Sequence, residues 1–427
     1  MNKASRVRSW LRSRDVTWKI LVPWLLLLVG CLAGMWGGWI GENWGFFRDR
    51  HLGLMAQRFW QWKVSLNPMN RPEGDVVDYF ANFYVYFGPM TSLLLMPVVL
   101  VWKSAQSQIV LGLGAMVASL VASYKLAERW GYKEVDRWWW MVFVGVSTPL
   151  LAVCAFNLSA YQVQAVGFAI MLVSLVEYYG KRRWWLIGLL IGMAGMTRMS
   201  LYLVAVFFGL EWLKSKRKMQ SLVMMVIPVV VSVGILGLYN QRRFGSFWES
   251  GYAGNVTLKE YPMVANVKHG FFSWEHVPAN LYVMLLKAPD PIFAPGGGYV
   301  LEYPYLKVDP WGFSLLVGSP LLLLLLRGVN WKKDWTLLVT TAVMAVPVLS
   351  YFGIGFSQFG YRYGLDFLPL VIVVLMKNLR GSLGWGAKGL ILVGTVFNCV
   401  YLMSGLGIYP LLNLYSVEGR GLVGGWW

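Results

Sequence analysis

Long apolar runs alternate with short polar breaks along nearly the whole chain, and their lengths are those of helices crossing a bilayer. The runs fall at 20–40, 82–102, 108–124, 138–156, 160–178, 184–213, 220–239, 311–326, 335–354, 363–376 and 389–405. A helix of about 20 apolar residues covers the roughly 30 Å of hydrocarbon in a membrane, so the pattern predicts an all-α polytopic membrane protein. Two runs leave a choice. The run 184–213 is long enough for two short spans with Thr197 and Arg198 at its break, and 82–102 reads either as one span or as a helix lying elsewhere.

Positive charge decides between these options, because each span added or removed moves every later loop to the other side. Let 82–102 not cross and 184–213 cross twice. The clusters Lys125/Arg129/Lys133/Arg137, Lys181/Arg182/Arg183, Lys214/Lys216/Arg217/Lys218, Arg327/Lys332/Lys333 and Lys377/Arg380/Lys388 then all face the cytoplasm. The result is about eleven spans in the plasma (inner) membrane, with a cytoplasmic N-terminus. Lys3, Arg6, Arg8, Arg12 and Arg14 read as a cytoplasmic tail rather than a cleavable signal, since the run after them is too long for a signal core.

Composition agrees: 57% of the 427 residues are hydrophobic and 14% charged, more apolar surface than a soluble domain can bury. The formal charge of +18 lies in short clusters between apolar runs, which excludes nucleic acid as a partner. Cys31, Cys154 and Cys399 sit inside apolar segments without metal-ligand spacing, and only His51, His269 and His276 are histidines, so no metal or cofactor site is expected.

The charge assignment sends 42–107, 240–310 and 355–362 to the outer face. In "FFRDRHLGLMAQRFWQW", helical spacing aligns Leu52, Met55, Phe59 and Trp62 as an apolar stripe, as in a helix lying on a membrane surface. Asp49 falls at its N-terminus, where helix-end amides favour a carboxylate; the spacing equally fits a plain cap or a pair with Arg48 or Arg50. Farther on, Asp75 and Asp78 precede an aromatic run that suits either a sugar site or an interfacial belt. Arg198, Arg242 and Arg243 lie at outer helix ends, and "SQFGYRYGLDFLP" places Gln358, Tyr361, Arg362 and Tyr363 at the start of a span. One such arginine is an ordinary snorkel. Four beside outer carboxylates suit an anionic headgroup, whose oxygens a guanidinium holds bidentately.

With "GLLIGMAGMTR", "YNQRRFGSFWESGY" and "GYRYGLDFLPL" in this order, the chain resembles the bacterial GT-C glycosyltransferases that use polyprenyl-phosphate sugars, relatives of protein O-mannosyltransferases and lipid A aminoarabinose transferases. The resemblance implies a single GT-C-like domain over 1–427, with 42–107 and 240–310 covering the site. It implies inverting transfer of a sugar from a polyprenyl phosphate to a hydroxyl of a lipid, glycan or protein, with no cofactor. By position, Asp49 is the catalytic carboxylate, and Arg198, Arg362 and Arg243 lie near the lipid phosphate; His51 joins the substrate-binding candidates. Many relatives carry two consecutive acids where Arg48 precedes Asp49 here, so the base stays open between Asp49, Asp75 and Asp78. A transporter or flippase of an anionic polyprenyl-phosphate lipid is the alternative; it predicts polar residues within several spans and symmetry between halves.

Overall fold

The computed structural model describes residues 50–66, 76–80, 82–103, 105–215, 218–254, 263–296, 298–307, 311–355, 358, 360–379 and 381–405. The expected span at 20–40 and the candidate acids Asp49 and Asp75 lie outside these residues. The described chain is mostly helical, with two small antiparallel hairpins. Its helices are α1 (His51–Phe59), α2 (Met90–Val101), α3 (Ile109–Arg129), α4 (Glu134–Val146), α5 (Leu150–Ala155), α6 (Ser159–Tyr179), α7 (Trp184–Gly195), α8 (Ala205–Lys214), α9 (Met219–Phe244), α10 (Met263–Val267), α11 (Val277–Leu285), α12 (Leu315–Gly318), α13 (Trp331–Ser350), α14 (Leu368–Asn378) and α15 (Trp385–Gly405). Strands β1 (Val76–Tyr79) and β2 (Asn82–Val85) pair with each other, as do β3 (Asp290–Phe293) and β4 (Leu301–Lys307).

Among the described residues, four helices are long and apolar enough to cross a membrane: α3, α6, α9 and the Trp385–Leu402 part of α15. In α9 the apolar side faces outward. Val223, Ile227, Val230, Val231, Ile235 and Leu238 are exposed, whereas Ser232, Asn240 and Arg243 are buried. A water-soluble helix does the reverse, so this outer face is built for lipid.

Proline divides several of the other runs. Pro149 follows a break at Ser147–Thr148 that separates α4 from α5, and Pro320 opens a 3₁₀ segment, Pro320–Arg327, after the short α12. Neither 138–156 nor 311–326 is therefore one regular helix. The run 82–102 also divides, into β2 and the 12-residue α2. At 1.5 Å per residue α2 is about 18 Å long, too short to cross alone.

Helix direction follows from close approaches. A side chain at Gly112 would strike Gln162, while Arg129 lies against Gly180 at the other ends of the same helices, so α3 and α6 run parallel. A Cβ on Gly188 would lie 2.1 Å from the Met225 carbonyl oxygen, and one on Gly192 2.7 Å from Ser232 Oγ, so α7 and α9 also run parallel and nearly touch. Only glycine permits this backbone proximity. Two successive parallel helices require the chain between them to return, and it does so after Arg198, through a 3₁₀ turn (Met199–Val204) and α8. The run 184–213 therefore goes out along α7 and back along α8, helices of 12 and 10 residues, neither of which has the length of a span by itself.

Among the described residues, Arg129, Arg183, Lys214, Lys377 and Lys388 from the basic clusters lie at one end of the bundle, where acids tie helices together. Asp136 on α4 meets Lys388 on α15 at 2.8 Å and accepts the Leu383 N–H, while Asp334 on α13 pairs with Lys377 on α14. Glu211 accepts from Tyr178 (2.5 Å), Thr336 (2.6 Å) and Lys214 (2.9 Å), joining three helices. Tyr132 donates to the Met376 carbonyl at 2.8 Å.

Candidate functional site

At the end opposite these ion pairs, two arginines from distant parts of the chain meet around one ring. Arg198 closes α7 with extended backbone. Its side chain reaches Asp366, with Nε 3.1 Å from Oδ1 and Nη2 3.2 Å from Oδ2. Ser200 donates to the same Oδ2 at 2.7 Å. Asp366 is 2% exposed, so its charge is held inside the protein by these three groups. The Tyr363 ring lies 5.8 Å from the Arg198 guanidinium and 4.5 Å from that of Arg362.

Arg362 begins a 3₁₀ turn (Arg362–Asp366) that enters α14. Its Nη1 donates to Gln164 Oε1 on α6 at 2.9 Å, Nη2 donates to the Tyr363 hydroxyl at 3.3 Å, and the guanidinium lies 5.0 Å from the Tyr161 ring centre. The turn that presents it is knotted by Gln358. That amide donates to Trp311 O (2.9 Å) and Ile354 O (2.6 Å) and accepts the Arg362 N–H (3.2 Å). Tyr361 anchors the other side, donating to Asn280 Oδ1 at 2.8 Å; burial pushes its phenol well above the ordinary tyrosine range, so it remains a neutral donor. Asn280 in turn donates to Leu349 O and Tyr351 O, stitching α11 to the end of α13.

The neighbouring arginines Arg242 and Arg243 part company. Gly245, with φ +72°, ends α9 in the left-handed conformation that glycine adopts without cost, and the chain turns there. Arg242 is exposed on that last turn. Arg243 is buried, donating to Val85 O and to Asn240 Oδ1 (2.6 Å), with the rings of Tyr239 and Phe244 3.9 and 4.7 Å from its guanidinium. It clamps the β1–β2 hairpin to α9, helped by Tyr79 and Tyr84, whose rings lie 5.5 and 5.3 Å from Phe244. Burial raises the Tyr84 phenol, and the nearby Arg243 charge partly offsets this. Asp78 is exposed on that hairpin, opposite Phe83.

A row of rings connects hairpin to arginine pair: Tyr86 to Tyr252 (5.0 Å), Tyr252 to Tyr351 (6.2 Å) and Tyr351 to Tyr363 (5.7 Å). Helix α1 joins the same end. Gln108 Oε1 accepts the Leu52 N–H at 3.1 Å, filling a helix-end donor, while its Nε2 donates to Asn157 O at 3.0 Å beside the start of α6. Leu52 and Met55 face the protein interior, Phe59 is half-buried and Trp62 is 95% exposed, so only part of the expected stripe is available to lipid. His51 is buried at the start of this helix.

The structure thus brings Arg198, Arg362, Tyr361, Tyr363 and Gln358 into one assembly and sets Arg243 and Asp78 at its hairpin flank. Sequence reasoning passed over Asp366, Gln164, Ser200 and Asn280. Asp366 stands in the quoted "GYRYGLDFLPL", and an acid at the head of an apolar run was the available signal. Among the described residues, no group of three His, Cys, Asp or Glu side chains is placed to hold a metal ion.

No protein-family model matches the sequence, and no curated protein matches it. Two solved structures of the Archaeoglobus fulgidus oligosaccharyltransferase are similar in fold. The apo form gives a TM-score of 0.40 at 12% identity, covering 86% of this chain and 52% of that one. The same enzyme, AglB, in complex with an inhibitory peptide and a dolichol-phosphate gives 0.37 at 12% identity with the same coverage. This chain therefore spans about half the length of the solved chains.

Proposed function

We propose that the protein is a membrane glycosyltransferase that moves a sugar from a polyprenyl-phosphate donor to an acceptor hydroxyl, with inversion, at the outer face of the inner membrane. The observation that carries this reading is the convergence of Arg198 and Arg362 on the two sides of Tyr363, at the end remote from the ion-paired basic clusters. Two guanidinium groups suit a phosphate that gains charge as its bond to the sugar breaks. The acceptor oxygen attacks the anomeric carbon, the carbon–phosphate-oxygen bond breaks with its electron pair passing to phosphate, and a carboxylate takes the hydroxyl proton.

Asp49, Asp75 and Asp78 remain the candidates for that carboxylate. Asp49 directly precedes Arg50 in the chain, and the helix that follows is bonded through Gln108 to the turn before α6, which carries Gln164. Asp78 lies on the hairpin that Arg243 clamps. The half-buried tyrosines between hairpin and arginines offer faces on which a sugar ring of donor or acceptor can stack.

The test incubates purified full-length protein with a panel of radiolabelled polyprenyl-phosphate sugars and a membrane extract, comparing wild type with Asp49→Asn and Asp78→Asn. Loss of the base lowers transfer about 10²–10⁴-fold. Transfer unaffected by Asp49→Asn removes that residue from the role. Movement of intact donor across the bilayer without bond cleavage rejects the enzyme in favour of a flippase.

A further inference from the structure

Gln164 lies in the second turn of α6 and is 1% exposed. Its oxygen accepts from Arg362 Nη1 at 2.9 Å. A guanidinium carries only N–H groups and offers no acceptor, so the orientation of this amide is fixed: Oε1 faces Arg362 and Nε2 points away. That Nε2, with two N–H groups, is buried and has no hydrogen-bond partner. Gln162, two residues earlier, is the mirror case: its Nε2 donates to the Phe156 carbonyl at 2.8 Å and fastens the α5–α6 turn, and its oxygen is the atom left without a hydrogen-bond partner.

Leaving a buried amide donor unmet costs about 1–3 kcal/mol, and native proteins keep few such groups without a reason. Here the orphan sits beside the guanidinium assigned above to the leaving phosphate. Arg362 lies across the face of α6 formed by Tyr161 and Gln164, one helical turn apart, so the cation and the unmet N–H groups belong to one wall. The geometry points to Gln164 as a phosphate-reading residue: its Nε2 donates to an anionic oxygen of the lipid phosphate that Arg362 receives.

This inference rests on the proposed reading of the arginine pair and adds to it a neutral, directional contact. Arginine attracts any anion from any angle in its plane; the amide accepts only a ligand that places an oxygen in front of Nε2. The contact strengthens as charge develops on the departing phosphate, and a neutral polyprenol cannot earn it.

The experiment measures binding of a short-chain polyprenyl phosphate, the corresponding polyprenol and inorganic phosphate to the full-length protein in detergent, by native mass spectrometry. Gln164→Glu keeps an oxygen for Arg362 but replaces the N–H groups with a second anionic oxygen, and weakens polyprenyl phosphate binding about 100-fold through like-charge repulsion. Gln164→Met, which removes the N–H groups and also the oxygen that accepts from Arg362 without adding charge, weakens it about tenfold. Polyprenol binding and the unfolding temperature of both variants stay close to wild type, which separates a lost contact from a lost fold. Competition by millimolar inorganic phosphate, equal in strength to that of the lipid, assigns the contact to phosphate alone; its failure assigns it to phosphate held on the lipid.

Wild-type affinity for polyprenyl phosphate in Gln164→Glu overturns the inference, as does a wild type that binds polyprenol as tightly as polyprenyl phosphate. Binding that weakens as stated in a protein that transfers no sugar sinks the glycosyltransferase reading and leaves this one standing. Full transfer by Gln164→Glu does the opposite.

Discussion

At the basic end, Asp136 faces Lys388, Asp334 faces Lys377, and Glu211 gathers Tyr178, Thr336 and Lys214. At the other end, Arg198 has Asp366, Arg243 lies among rings and neutral oxygens, Arg362 donates to the Gln164 oxygen among the contacts that hold it, and Gln164 Nε2 has no hydrogen-bond partner. The difference separates two uses of buried polarity. Where every acid meets its cation, removing either partner strands a charge, and the pair acts as a clamp between helices. Where a buried polar group is held by neutral oxygens and ring faces instead, no counter-charge is stranded when one contact is lost, and the group can still answer to a ligand.

The largest effect is expected at the clamped end. Asp334→Asn leaves Lys377 without its counter-charge and lowers stability by about 3–5 kcal/mol, toward the lower figure because the lysine is partly exposed. Chemical denaturation in detergent measures the loss. The double variant Asp334→Asn/Lys377→Met recovers most of it, and sugar transfer per folded molecule stays unchanged throughout. A single variant costing under about 1 kcal/mol, as exposed pairs do, erases the contrast between the two ends.

Arg362→Met is expected to show the converse. Transfer falls about 10²–10³-fold, as when one preorganised donor to a developing charge is removed, with little change in unfolding. Arg362→Lys restores little, since an ammonium cannot reach Gln164 and the Tyr363 hydroxyl with one planar fork. Initial rates with a labelled donor decide it, and recovery by lysine would reduce Arg362 to a general positive charge. Arg243→Gln belongs to the same end but acts on the fold: losing the contacts with Tyr239 and Phe244 and the bond to Val85 O costs about 2 kcal/mol, read as faster proteolysis of the β1–β2 hairpin.

The charge pattern carried much of this arrangement. Grouping Lys125 to Arg137 with Lys181 to Arg183 and Lys377 to Lys388 required only that basic loops share a side, and Arg129 against Gly180 and Asp136 against Lys388 place them together. The break at Thr197–Arg198 was legible too, because a charge within an apolar run demands a reason. What hydropathy could not show was division by proline: the windows over 138–156 and 311–326 read as continuous because the short breaks Ser147–Thr148–Pro149 and Gly318–Ser319–Pro320 are averaged into long apolar runs. Gln164 was hidden by type. A glutamine becomes informative only when Arg362, distant in sequence, fixes which way its amide points. Arg242 and Arg243 looked equivalent because adjacent residues at a helix end differ only in the direction of rotation, which depends on what packs beside α9.

Asp366→Asn tests a finer point at the arginine pair. The amide keeps an oxygen for Ser200 but loses the charge that holds Arg198, so the guanidinium is placed less often. The expected result is a rise of about tenfold in KM for the donor, the worth of one charge-assisted hydrogen bond, with kcat nearly unchanged. Asp366→Glu, which restores charge on a longer arm, recovers part of the loss. An equal fall in kcat for both variants would place Asp366 in the reaction itself.

The smallest effect is the one that distinguishes adjacent arginines. Arg242 is exposed on the final turn of α9, one residue before the buried Arg243. Exposed side chains away from caps and cores change stability by no more than about 0.5 kcal/mol when replaced, so Arg242→Gln should unfold as wild type does. Transfer is the sharper readout. If the anion site is the wall of Arg198, Arg362 and Gln164, Arg242→Gln leaves the rate with labelled donor within about twofold at moderate salt, where a surface charge is screened beyond roughly 10 Å. A tenfold fall that disappears in high salt would instead make Arg242 a steering charge for the lipid headgroup, and would extend the receptive surface from the buried wall to the helix end beside the hairpin.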